Sequence, residues 1–190
     1  MRSLLKRSPK VIVLASFMTW SSLGVAADLS DAEINKWVGA ANALKTWSKQ
    51  HQNNNVVPDA SRSAAMKDPG HAFTLSMQEA KKSSYYGDIQ SVLKQSGYSD
   101  VDTWAQLGDR IMTAHVANKM AEHKEVTPEK MDAAMQQLNN AKIPPQLRAQ
   151  MAQAMQGSHA MMQSAQQAPA EDKQAVARNS KVLEQFIKSN

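Results

Sequence analysis

The chain of 190 residues contains no cysteine. Its absence excludes disulfide bonds, a cysteine nucleophile and the lipid-modified cysteine of a lipoprotein. Stability must therefore come from packing alone.

The sequence also lacks the short motifs that mark familiar enzymes. Neither H-E-x-x-H nor G-x-S-x-G occurs, and no glycine-rich phosphate loop follows a strand. The five histidines have no spacing typical of metal ligands. We therefore predict a non-enzymatic protein with no catalytic residues and no cofactor. An enzyme without a recognisable motif is an alternative, which a deep pocket joining His71 or His115 to a carboxylate would favour.

Acidic residues are missing from the first 27 positions, which hold four of the 22 basic residues. A basic head, the apolar run VIVLASFM and the small residues Val25 and Ala27 are together typical of a secretory signal peptide. The run is shorter than the ~20 residues that a transmembrane helix needs. We predict a signal peptide over residues 1–27, a periplasmic or secreted protein, and no membrane span after processing.

The mature chain, residues 28–190, has little net charge. It keeps 18 basic and 17 acidic residues, a net charge of +1, whereas the full chain carries +5. Because a nucleic-acid surface needs clustered basic residues, we predict no nucleic-acid partner. This length suits one domain.

Strand-like alternation is absent from the mature chain, and apolar residues recur instead at three- and four-residue spacing. We predict an all-α, single-domain bundle of five to seven helices. Ser30 and Glu33 form a capping box at the first helix. Residues 53–70 form a long loop, and residues 144–190 form C-terminal helices rich in Gln, Ala and Met.

Two further boundaries follow from local residue types. The apolar stripe of residues 71–95 changes sides, which predicts a helix break near Ser83 and Gly87. Gly97 is expected to take the left-handed conformation that ends a helix, and Ser99 to cap the next one.

The helix after Ser99 has its core residues on the side of Trp104, Leu107 and Ile111. Asp102 and Asp109 fall together on the far side, where we expect them to be solvated. These positions do not bring an acid, a base and a nucleophile together, so the pattern favours a packed helix over an active site.

Three other residues of this helix carry expectations. Gly108 indicates that a neighbouring helix approaches closely, since glycine costs about 1 kcal/mol inside a helix. His115 lies within the apolar arc and is expected to be a core histidine. Arg110 is expected to pair with a carboxylate from another helix, for which Asp88 and Asp100 are candidates.

One pattern within residues 30–120 combines Gly97-Tyr98, Trp104 and Gly108-Asp109-Arg110, followed by a helix. This pattern resembles that of small exported helical proteins of Gram-negative bacteria, one group of which is named after a quorum-sensing-regulated virulence factor. The resemblance implies an exported helical domain, possessing no assigned activity.

Methionine is abundant in the C-terminal half. Met151, Met155, His159 and Met162 are spaced i, i+4, i+8 and i+11 along one helix side. Thioether and imidazole ligands select Cu(I), so copper handling by these four residues is one hypothesis. The alternative is that the methionines fill the inner face of a bundle.

Soft methionine surfaces also bind varied apolar partners. The polar positions in this region are mostly Gln, Asn and Ser, which leaves an amphipathic and weakly charged helix. We therefore predict an exported protein that acts by binding a protein or envelope partner, with a virulence- or stress-related role.

Overall fold

The computed structural model describes residues 29–51, 65, 68–122, 127–140 and 143–189. These residues form eight α-helices and a 3-10 turn, with no strand among them, which confirms the all-α prediction. The helices are α1 (Asp31–Gln50), α2 (Ala72–Ala80), α3 (Tyr86–Gln95), α4 (Val101–Glu122), α5 (Pro128–Asn140), α6 (Pro145–Gln166), α7 (Ala170–Arg178) and α8 (Ser180–Lys188), and the 3-10 turn is Pro69–His71.

The helix count exceeds the predicted five to seven because the last segment is divided in two at Asn179. The Asn179 side chain there donates hydrogen bonds to Asp31 and to the carbonyl of Ala175. The predicted signal peptide and most of the predicted 53–70 loop lie outside the described residues. In the part of the chain that the structure describes, no helix combines the length and apolar character needed to cross a membrane.

Local residue types account for where the first helices begin and end. At the start of α1, the Ser30 hydroxyl accepts from the Glu33 N–H while the Glu33 carboxylate accepts from the Ser30 N–H, so the capping box is confirmed. The predicted break is confirmed between α2 and α3. Gly97 has φ of +86°, the left-handed conformation expected after α3. The cap of α4 is Asp100 rather than Ser99, because the Asp100 carboxylate accepts from the Thr103 N–H at 2.8 Å.

Helix α4 is the centre of the bundle. Helices α1, α2, α3, α6 and α7 and the 3-10 turn all pack against it. Helix α5 is different, because among the described elements it packs mainly against α6.

An aromatic cluster fills the space between α1, α2, α4 and α8. Trp37 is fully buried, stacks on Trp104 with ring centroids 5.6 Å apart, and meets Phe73 and Phe186 edge-on at 5.1 and 5.5 Å. Its Nε1 donates to the Trp104 carbonyl at 3.1 Å, which satisfies the indole N–H.

Gly108 lies against this cluster and confirms the predicted close approach. A Cβ atom at this position would lie 2.7 Å from Cζ2 of Trp37 and 3.0 Å from Cγ of Phe73. These separations are shorter than carbon atoms tolerate, so only glycine lets α1 and α2 approach α4 here.

Candidate functional site

An open apolar groove runs between α4, α5 and α6, with a volume of about 1010 Å³. Its apolar lining comes from five segments of the chain: Ala65, Pro69, Val116, Met131, Ala154, Gly157, Met161 and Met162. Its polar lining among the described residues is uncharged and consists of Gln150, Gln153 and Ser158. We call this feature the Met groove. Open apolar surface of this kind is typical of protein-interaction sites and ligand-binding grooves.

Exposed apolar side chains continue along α6 towards its N-terminus. Leu147 is 46% exposed and Met151 is 44% exposed, which makes them the most exposed large apolar side chains of this helix. Arg148 and His159 are the ionisable side chains among the 22 residues of α6. The surface next to the Met groove is therefore both apolar and nearly uncharged.

Helix α5 forms one wall of the groove. Met131, Met135 and Leu138 follow one another at i, i+4 and i+7, and Leu138 is buried. Nε2 of His159 on α6 lies 3.5 Å from a carboxylate oxygen of Asp132 on α5. The wall is thus itself an amphipathic helix seated on α6.

The four residues of the copper hypothesis differ in their surroundings. Met162 is buried and lines the Met groove, whereas Met151 is exposed and His159 faces Asp132. Met155 is half-buried. Burial increases towards the C-terminal end of α6 because that end packs against the rest of the bundle. Copper binding by Met151, Met155, His159 and Met162 stays a prediction.

A second cavity, of about 470 Å³, lies where α2, α4, α6 and α7 meet. Nine of the twelve residues that line it are polar: His71, Thr74, Gln106, Asp109, Arg110, Thr113, Ser164, Gln167 and Asp172, with Gly70, Ala168 and Pro169. We call this cavity the polar cleft. The 3-10 turn separates it from the Met groove, since Pro69 lines the groove and Gly70 the cleft.

Asp109 is buried at the wall of the polar cleft, so the prediction that it is solvated was wrong. Its carboxylate accepts from the backbone N–H groups of Phe73 and Thr74 at 2.8 and 3.2 Å, and so caps α2. Burial raises the pKa of Asp109 above its ordinary value, although the hydrogen bonds from Thr74 and Phe73 act in the opposite direction. The side chain of Asp102 is 45% exposed, as the prediction of a solvated residue requires, and it forms an ion pair with Lys81 at 2.7 Å.

Arg110 pairs with a carboxylate from another helix as predicted, but the partner is neither Asp88 nor Asp100. It is Asp172 of α7, which is only 1% exposed. Nε and an Nη atom of Arg110 donate to the two carboxylate oxygens at 3.1 and 2.8 Å, a bidentate arrangement. The Leu29 N–H also reaches Asp172, at 3.4 Å.

The two histidines named for an enzyme lie in different places. His71 lines the polar cleft together with Asp109 and Asp172, and its Nδ1 lies 2.9 Å from a carboxylate oxygen of Asp68. Among the described residues, no hydroxyl group hydrogen-bonds to His71, so the arrangement lacks a nucleophile bonded to its base. His115 is buried in the core as predicted, and burial lowers its pKa.

Sequence reasoning missed the polar cleft, although one signal was available. Gly108 indicates that another helix approaches α4 closely at this level, and Asp109 is its neighbour in the sequence. Comparison with protein-family models, curated proteins and solved structures found no match. The site therefore rests on its own geometry.

Proposed function

We propose that this chain is an exported, non-enzymatic binding protein whose Met groove holds an amphipathic helical segment of a partner protein. The observation that carries the proposal is the groove itself, an open apolar channel of about 1010 Å³. Among the described residues that line it, three are methionines and none is charged. Methionine side chains adapt their shape, which suits partners of varied sequence.

The chemistry of α5 indicates what the partner segment looks like. This helix packs on α6, and its Met131, Met135 and Leu138 have the i, i+4, i+7 spacing by which helices dock in apolar grooves. A partner helix with apolar residues at the same spacing would match the exposed apolar surface of α6. Leu147 and Met151 extend that surface beyond the Met groove. Uncharged rim residues place no demand on the charge of the partner.

The open shape favours a helix over an acyl chain. Small apolar ligands are usually held in cavities that cover most of their surface, with volumes of roughly 300–1000 Å³. The Met groove is at the upper end of that range and is not enclosed. The N-terminal residues predict export, so we expect the partner in the periplasm or outside the cell.

The groove is tested by placing a charge in it. Ala154 is an exposed helical residue that lines the groove, so Ala154→Glu leaves the core untouched and puts a carboxylate in the path of an apolar ligand. The probe is a labelled peptide with leucine at i, i+4, i+7 and i+11 and glutamine and alanine elsewhere. Fluorescence anisotropy is expected to show binding that Ala154→Glu weakens at least about tenfold, because an unpaired charge is costly to bury.

Ala177→Glu is the matched control, since Ala177 is an exposed helical alanine of α7 outside the groove. It is expected to bind the peptide as the unmodified protein does. Equal binding of a scrambled peptide of the same composition would contradict a helix-specific groove. Tighter binding of palmitate than of the peptide, lost in Ala154→Glu, would identify the groove as an acyl-chain site instead.

A further inference from the structure

The carboxylate of Asp109 differs from the other buried carboxylate of the polar cleft. Asp172 is neutralised by Arg110 in a bidentate ion pair. Among the described residues, Asp109 is 7% exposed and has no lysine, arginine or histidine within ion-pair distance. Buried carboxylates are rare unless paired. The charge of Asp109 is offset instead by the N-terminus of α2, by hydrogen bonds from Phe73 and Thr74, and by attraction to the nearby His71.

Asp109 retains capacity to accept further hydrogen bonds. One of its oxygens accepts from the Phe73 N–H and the other from the Thr74 N–H. A carboxylate has about four lone-pair sites, so each oxygen can take another donor from the cleft. A donor that also carries a positive charge gains most, because charge-assisted hydrogen bonds are about twice as strong as neutral ones.

The rest of the cleft suits an ammonium group. Such a group has three N–H donors and no acceptor. Hydroxyl and amide oxygens of Thr113, Ser164 and Gln106 line the same cavity and can accept the donors that Asp109 does not take. The volume of about 470 Å³ is more than a small amine needs and lies within the usual range of ligand pockets.

We propose that the polar cleft binds a small aliphatic amine in its ammonium form, with Asp109 as the counter-ion. The proposal is independent of the Met groove and of its partner. An anionic ligand would instead face the carboxylates of Asp109 and Asp172, while Arg110 and His71 in the same lining already face carboxylates of their own. A metal ion is disfavoured, since no group of three His, Asp or Glu side chains in the described part of the chain is placed to hold one.

Ethanolamine and ethylene glycol form the test pair, because they have similar size and differ in charge. Chemical shifts of the ¹⁵N-labelled protein are followed during titration with each compound up to about 50 mM, a range that detects millimolar affinity. Ethanolamine is expected to shift the backbone signals of residues 70–74, 106–113 and 164–172. No shift at that concentration, shifts elsewhere, or equal affinity for ethylene glycol would overturn the proposal.

Asp109→Asn keeps the size of the side chain and one acceptor oxygen, and it is expected to weaken ethanolamine binding at least about tenfold. Asp88→Asn is the matched control, since Asp88 is exposed on α3 and does not line the cleft. Should Asp109→Asn not fold, Thr113→Lys supplies an internal ammonium group to the cleft and is expected to abolish binding. Unchanged binding in a folded Asp109→Asn or Thr113→Lys protein would refute the assignment.

Binding of ethanolamine is also expected to depend on pH. When Asp109 is protonated it carries no charge and cannot act as the counter-ion. The affinity for ethanolamine should therefore rise as the pH increases through the pKa of Asp109, and then level off. Burial raises that pKa above its ordinary value. The charged groups that face Asp109 are His71 from the 3-10 turn, Arg110 on α4 and Asp172 on α7. Because histidine side chains in general change charge between about pH 5 and pH 8, the series is repeated in His71→Gln. A pH dependence that vanishes in His71→Gln would show that Asp109 is not the group responsible.

Discussion

Replacing Trp37 with alanine is expected to lower the free energy of unfolding by about 3–5 kcal/mol. Trp37 is fully buried, contacts Trp104, Phe73 and Phe186, and donates a hydrogen bond to the Trp104 carbonyl. Its removal leaves a cavity among Trp104, Phe73 and Phe186 and removes one hydrogen bond in the core. Urea unfolding followed by circular dichroism measures the loss, which is a large part of the ~5–15 kcal/mol typical of a domain.

Trp47 provides the matched control on the same helix. It is only half-buried and packs against His51 and Tyr85 at the edge of the bundle. Trp47→Ala is therefore expected to cost clearly less than Trp37→Ala. Equal losses in the two variants would show that the aromatic cluster around Trp37 is not the centre of the core.

The second large effect is expected at the Arg110–Asp172 pair. Arg110→Met removes the cation and leaves the Asp172 carboxylate at 1% exposure, where the Leu29 N–H at 3.4 Å is its remaining hydrogen-bond donor among the described residues. Breaking one side of a buried ion pair typically costs about 3–5 kcal/mol, since an uncompensated charge stays in the interior. Urea unfolding of the variant measures this cost directly.

The double variant Arg110→Met, Asp172→Leu separates charge from packing. Apolar replacement of both partners of a buried pair is often neutral or stabilising, so this protein is expected to recover most of the lost stability. A double variant as unstable as Arg110→Met alone would mean that the single substitution acts through lost packing of the arginine side chain rather than through the isolated charge.

The helices were predictable because their signals are local. The capping box is formed by Ser30 and Glu33, which lie three residues apart in the sequence. Helix α3 ends because Gly97 adopts a positive φ angle, a property of that residue alone. Glycine is costly inside a helix, so Gly108 predicted that another helix packs closely there. The Trp37 side chain occupies the space that a Cβ atom of residue 108 would need.

The polar cleft and the Met groove were not predictable, because each depends on packing between distant segments. The assignment of Asp109 to solvent assumed one buried face on α4, whereas five helices surround α4 and the N-terminus of α2 covers Asp109. Arg110 finds its partner 62 residues away, and helical periodicity contains no information about that distance. The methionine spacing on α6 was visible, but the open channel beside it depends on where α5 and the 3-10 turn lie.

Methionine-methyl NMR tests the partner-binding groove most directly, because each methionine reports on its own surroundings. On addition of the leucine peptide, the ¹³C-methyl signals of Met131, Met161 and Met162 are expected to shift, since all three line the Met groove. Met77 and Met112 do not line it and should keep their positions. Shifts of Met77 and Met112 without those of the groove methionines, or a peptide that binds and moves none of the three, would contradict the account.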